Sequence, residues 1–221
     1  MKHLLFAFAA LGAAACSGSS ASPQISTVTG TFAGQALDIA DSASFQGTTG
    51  MTSYLDVVLS STSGICSVAV QQAAKANTNR LELLIQNIGA SNATPLAAGV
   101  YTVTNGDPAV TGNDAVTGAS AGYLQVSANY NTYDASCAPT LAPTASGATS
   151  GTITVDATTA ADVSGSFDLR FPGGDHLSGR FASPVCVDQH LALAPPPAGA
   201  GGVGGASTAP TAAVAASACL P

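Results

Sequence analysis

From residue 24 to residue 187 the sequence predicts an all-β domain, an antiparallel sandwich or barrel-like fold with room for one short helix. A flexible N-terminal tether and an Ala/Pro/Gly-rich C-terminal tail flank it. Three observations carry this expectation. Short stretches of β-branched and aromatic residues recur at close spacing, separated by Gly, Ser, Thr, Asn and Asp. Only 8% of residues are charged, so the Glu and Lys that coat wet helices are nearly absent. Ser164–Phe171 alternates strictly, which sets Phe167, Leu169 and Phe171 on one face of a strand.

The expected strands, in chain order, are Ile25–Ala33, Ala36–Ile39, Tyr54–Ser60, Arg80–Ile88, Gly99–Thr104, Gly122–Tyr130, Gly151–Asp156, Ser164–Phe171 and Asp175–Phe181. The last two form a hairpin. Pro172-Gly173-Gly174-Asp175 supplies its turn, because Gly takes positive φ at little cost, and Leu177 and Phe181 return on the apolar face. A short pattern, [ST]-G-x-F, repeats at Thr29–Phe32, Ser164–Phe167 and Ser178–Phe181. In each copy Gly shares a face with the aromatic residue two positions on, where it relieves crowding. Cys66–Ala76 is expected to hold the helix, on the propensity of Gln71–Ala76, although Cys66, Val68 and Val70 also alternate like a strand. Asn105–Ala121 reads as a long polar loop. The tail, 188–221, has Pro-stiffened and Gly-loosened segments that build no core.

Ahead of the domain stand a basic start (Lys2, His3), an apolar run (Leu4–Leu11) and small residues up to Cys16. This is the layout of a secretory signal peptide, residues 1–15. Its apolar run is far below the roughly 18–20 residues that span a bilayer. The formal charge is −7, and the cations of the domain are the scattered Lys75, Arg80, Arg170 and Arg180. A nucleic-acid partner needs a basic footprint, so that class is excluded. Electrostatic adhesion to anionic lipid is disfavoured for the same reason.

Five cysteines, Cys16, Cys66, Cys137, Cys186 and Cys219, leave one over if all the others pair in an oxidising compartment. Small residues directly before Cys16, and the polar Ser17–Pro23 after it, resemble the lipobox and tether of bacterial lipoproteins. Ala13 stands where that family favours Leu, and Ala13 with Ala15 also suits ordinary signal peptidase. The resemblance implies a diacylglyceryl group on the Cys16 thiol and cleavage before it. It implies a lipid bilayer as partner through the acylated N-terminus, and Ser17 implies the outer membrane. Each buried methylene contributes about 0.8 kcal/mol, so two or three acyl chains hold stably. The alternative is a soluble periplasmic or secreted protein. Lipidation of Cys16 leaves four thiols, for which three connectivities exist. The expected pairing is Cys66–Cys137 within the domain and Cys186–Cys219 tying the tail back.

Several motifs suggest chemistry by spelling alone. Gly118-x-Ser120-x-Gly122 matches a serine-hydrolase elbow, which requires a strand before it, a helix after it, and a His base. A polar loop precedes this copy and a strand-like run follows; His176 or His190 would have to serve. Gly199-x-Gly201-x-x-Gly204 lies in the tail, without the strand and acidic residue a dinucleotide site needs. Asp175-His176 and Asp188-x-His190 offer metal-ligand types without convergence. Asn105–Asp107 and Gly112–Asp114 offer oxygens for calcium but are ordinary turn formers. Tyr54, Tyr101, Tyr123, Tyr130 and Tyr133 are expected mostly as core or interface residues with a wet hydroxyl. The sequence therefore predicts no cofactor, no metal and no catalytic residue. It points to a non-enzymatic envelope domain with a binding or structural role. The alternatives are a small-ligand or carbohydrate binder, calcium-dependent through the 105–121 loop, and a hydrolase using Ser120.

Overall fold

The computed structural model describes residues 25–70, 73–89, 95–103, 123–186 and 219–220. Nine antiparallel strands form two sheets. The five-stranded sheet has the order β1 (Thr27–Thr31), β10 (His176–Pro184), β9 (Asp162–Arg170), β8 (Ser150–Thr158), β6 (Gly99–Thr102). The four-stranded sheet has the order β2 (Asp41–Thr49), β3 (Thr52–Ser60), β5 (Asn79–Ile88), β7 (Tyr123–Thr132). A parallel pair joins β4 (Ala74–Lys75) to β11 (Cys219–Leu220). Among the described residues there are also two short helices, α1 (Ile65–Val70) and α2 (Pro143–Ser146). Among the described residues no helix is long and apolar enough to cross a membrane.

Period-2 alternation decides what each sheet buries. Leu55, Val57 and Leu59 of β3, Leu81, Leu83 and Ile85 of β5, and Val126, Ala128 and Tyr130 of β7 face inward from one sheet. Ile153 and Val155 of β8, Val163, Phe167 and Leu169 of β9, and Leu177 and Phe181 of β10 face them from the other, in one continuous core. This is a sandwich. Two corners stitch its sheets together. Past β10, the Cys186 amide donates to the Ser44 carbonyl of β2 at 2.8 Å; before β8, the Ala148 amide donates to the Ala128 carbonyl of β7 at 2.8 Å.

The Ser164–Phe181 hairpin forms as the alternation predicts. The Phe171 amide donates to the Asp175 carbonyl, and Gly173 and Gly174 take φ of 83° and 92° through a 3-10 turn. Its register explains the repeated [ST]-G-x-F pattern. Gly179 lies opposite Phe167 and Gly165 opposite Phe181, so each motif's ring covers the other motif's glycine. A Cβ at Gly165 would lie 2.5 Å from Phe181 Cζ, and one at Gly179 would lie 2.9 Å from Phe167 Cζ. In the third copy Phe32 stacks on Tyr130 at 4.4 Å and meets Phe171 edge-on at 5.0 Å.

Two expectations are corrected, and one strand was not anticipated. Ala36–Ile39 forms no strand; Leu37 is buried as a plug beside Phe32, which makes a local bridge with Gln35. The next strand is instead β2, built largely from Ser, Gln, Gly and Thr, with Ala43, Ser44 and Phe45 buried. The helix is only Ile65–Val70, and part of the Ala-rich run assigned to it, Ala74–Lys75, pairs with β11. Its propensity yields there to inter-strand hydrogen bonds and a nearby disulfide. The remaining expected strands are found with their ends within three residues of the expected ones. The signal peptide, Cys16, the tether and loop 105–121 lie outside the described residues, as does the tail except for β11.

Candidate functional site

All four cysteines of the domain and tail are paired, but not as expected. The bonds are Cys66–Cys186 and Cys137–Cys219, with Cα separations of 5.5 and 5.7 Å. The expected pairing failed because spacing along a chain does not report which ends of a sandwich meet. Asp41, at the start of β2, fixes α1 in place: its Oδ2 accepts the Gly64 amide at 2.7 Å and the Ile65 amide at 3.0 Å. That brings Cys66 to the point where the chain leaves β10 and Cys186 bonds to Ser44. Ala43, Phe45, Val58, Ile65 and Cys186 form a second small core over the outer face of the four-stranded sheet. The other bond rests on a tight turn. Asp134 Oδ1 accepts from the Ser136 hydroxyl at 2.7 Å, the Ser136 amide at 2.8 Å and the Ala138 amide at 3.0 Å, and Cys137 adopts φ 61°. The Ser136 hydroxyl, then the Ala138 and Ser136 amides, hold the Asp134 carboxyl below its usual range.

Beside the second core, on the same outer face, lies a charged stripe. Asp56 stands opposite Phe45 on one side and Leu84 on the other, with Glu82 diagonal to it. The residue is half-buried, but its Oδ1 is sealed from solvent and has no hydrogen-bond partner among the described residues. Burial, with a contribution from Glu82 and an opposing one from Arg80, pushes the Asp56 carboxyl up to about 8. Arg80 is drawn the other way. Its Nη2 lies 3.6 Å from Glu82 Oε2, and its guanidinium sits 5.1 Å from the centre of the Tyr133 ring. Charged residues on an alternating strand read as solvent-facing, so Asp56 was not legible as a special group.

One groove of about 350 Å³ opens at the end of the sandwich where β2 passes the β8–β9 turn. Leu55, Pro95, Leu96 and Ala160 supply apolar walls, and Gln46, Tyr54, Thr158 and Thr159 supply polar groups. Gln46 Nε2 donates to the Thr159 carbonyl at 2.5 Å, which ties β2 to that turn. Thr158 Oγ1 is buried there without a hydrogen-bond partner among the described residues. A buried hydroxyl lacking a partner is costly unless a ligand or water meets it. The groove thus presents mostly apolar walls with a few polar groups, the general form of a small-molecule pocket.

The outer face of the five-stranded sheet is hydroxyl-rich. Thr29, Ser178, Asp168, Thr152 and Thr102 form one row across all five strands. His176 begins β10, and its Nε2 lies 3.1 Å from Asp168 Oδ2. Asp175 is a turn residue whose Oδ2 accepts the Ala33 amide at 2.9 Å. The two are therefore not joint ligands, and no group of three metal-ligating side chains occurs among the described residues. Gly118, Ser120, Gly122, Asp188, His190 and both calcium-type turns lie outside those residues. The tyrosines do not gather into a platform. Tyr130 is wholly buried, hydroxyl included, which corrects the expected wet hydroxyl. Tyr101 donates to the Ala97 carbonyl at 2.6 Å, Tyr133 covers Arg80, Tyr54 lines the groove, and Tyr123 starts β7 opposite Ile88.

Comparison with protein-family models, with characterised proteins and with solved structures gives no match to this chain.

Proposed function

We propose that the chain is a lipid-anchored protein of the bacterial cell envelope, fixed to the outer membrane through Cys16, whose sandwich binds or braces rather than catalyses. The observation that carries this reading is the pair of disulfides. Cys66–Cys186 and Cys137–Cys219 use every cysteine of the domain and tail, so Cys16 is the one thiol they leave. Two structural disulfides fit an exported chain in an oxidising compartment. A single remaining cysteine behind a run of small residues fits acylation. Each bond also joins the C-terminal part of the chain to the body of the domain, a form of bracing suited to a protein exposed outside the cell. Binding is assigned to the groove at Gln46, Tyr54 and Thr158, where apolar walls from Leu55, Pro95, Leu96 and Ala160 surround a few polar groups.

Expression of the full chain and of Cys16→Ser in a Gram-negative host tests the anchor. The wild-type protein is expected in the membrane fraction and the variant in the soluble envelope fraction, both with two intact disulfides. A wild-type protein recovered wholly in the soluble fraction overturns the anchor.

A further inference from the structure

We propose that the open edge of β2 beyond Ser44 docks an extended, uncharged peptide segment of a partner protein as an added strand; this deepens, and rests on, the assignment of binding to the groove. Backbone parity carries it. Along a strand, alternate residues turn their N–H and C=O to the same side. The Ser44 carbonyl accepts the Cys186 amide at 2.8 Å, so the even-numbered residues of β2 turn their main-chain groups away from β3. The two-residue Gly50–Met51 turn gives the same parity, because the pair that closes such a hairpin, Thr49 and Thr52, exchanges its bonds across the ladder. Ser44 is matched on the outer side by a parallel bridge to Val185, and there the pairing stops. Gln46 and Thr48 thus present main-chain donors and acceptors with which no described residue pairs.

The groove lies along this stretch. Gln46 and Gly47 belong to its wall, together with Leu55 and Tyr54 of β3 and the β8–β9 turn. The Val185 amide donates to the Ala161 carbonyl at 2.7 Å, so the chain that fills the edge as far as Ser44 passes the same turn that borders the groove. The groove is therefore the next place along that edge. Successive side chains of an added strand point to opposite faces. Those turned inward meet Leu55, which stands opposite Gln46 on the core face. Those turned outward pass Gly47, where a Cβ would stand 3.0 Å from the Tyr54 hydroxyl and 3.2 Å from its Cζ, so the Tyr54 ring is the surface they meet. No charged residue lines the groove, and a charged side chain entering it would lose hydration without gaining a partner. Main-chain bonds then supply affinity, and the two faces select uncharged side chains. An open edge with no such use is a hazard that proteins cover or charge, and β2 is neither covered nor charged at Gln46–Thr48.

The test uses the chain from Cys16 onward, which contains every described residue, with Cys16 capped and both disulfides formed. The probe is the blocked peptide acetyl-Thr-Val-Thr-Val-Thr-amide, and its control has every backbone amide N-methylated. By NMR, the Gln46 and Thr48 amides are expected to exchange freely in the chain alone and to slow by about tenfold under saturating probe. The Leu55 and Leu96 methyl signals are expected to shift with them, and the control peptide to do neither. Thr48→Pro removes one outward N–H and leaves the β2–β3 ladder whole, so it is expected to weaken the probe about fivefold. The Phe45 and Asp56 amides, which bond across that ladder, keep their exchange rates in the variant and report an intact fold. Gln46 and Thr48 amides already protected in the chain alone show that its own segments fill the edge, and overturn the proposal. Methyl shifts without amide protection, or equal binding of the N-methylated peptide, overturn strand addition and leave groove binding standing. No change at either set of signals overturns both.

Discussion

Asp56→Asn replaces a carboxyl that folding forces to keep its proton with an amide of the same shape and no charge. In the folded chain this acid sits at about 8, against 3.8 when exposed. A group with a raised folded value binds its proton more tightly when folded. Stability is therefore greatest below about pH 4 and is lost as pH rises from there to about 8. Each pH unit in that window is worth about 1.4 kcal/mol, so by pH 7 the wild type has lost up to about 4 kcal/mol. The amide has nothing to lose. Urea titrations of both proteins with disulfides intact, from pH 4 to pH 9, measure the difference. The two curves are expected to lie close together at pH 4 and to diverge steadily, with the variant the more stable at pH 7. Asp134, whose carboxyl is held low, acts in a separate window, since its contribution is lost only as pH falls below the ordinary carboxylate range. A variant whose stability runs parallel to wild type across the range would show that the Asp56 carboxyl is ionised and solvated in the folded state, and would refute the reasoning.

Other perturbations probe the scaffold. Gly165→Ala drives a methyl into the Thr154 carbonyl and the Phe181 ring, so a loss of about 1–3 kcal/mol in denaturant titrations is expected, and a neutral outcome would contradict the reciprocal glycine–phenylalanine packing. Cys66→Ser with Cys186→Ser frees α1 and the exit of β10 together; a loss of about 2–4 kcal/mol, read from the urea midpoint, is expected with the Cys137–Cys219 bond retained.

Much of the sandwich was legible because its inner strands alternate without interruption. Leu81, Leu83 and Ile85, or Phe167, Leu169 and Phe171, can be buried on only one face, and that fixes both strand and register. β2 was hidden because it buries both faces, Ala43 and Phe45 on the outer one and Ser44 on the inner one, and the Ser44 hydroxyl bonds to the Ser183 and Pro184 carbonyls instead of facing water. That partner lies about 140 residues away, and no local pattern reports it. β4 and β11 are two residues each and exist because the Cys137–Cys219 bond brings Cys219 beside Ala74. The candidate site was less legible still. Gln46 and Thr158 are ordinary strand residues until the β2 edge meets the β8–β9 turn, and Asp56 becomes unusual only once Phe45, Leu84 and Glu82 surround it.

The anchor itself is tested most directly by the intact mass of the native protein extracted from membranes, measured with and without reduction. The account predicts a chain that starts at Cys16, carries the added mass of two or three acyl chains, and gains the mass of four hydrogens on reduction of two disulfides. A mature chain that begins elsewhere, or one that begins at Cys16 with its sulfur bare, contradicts it.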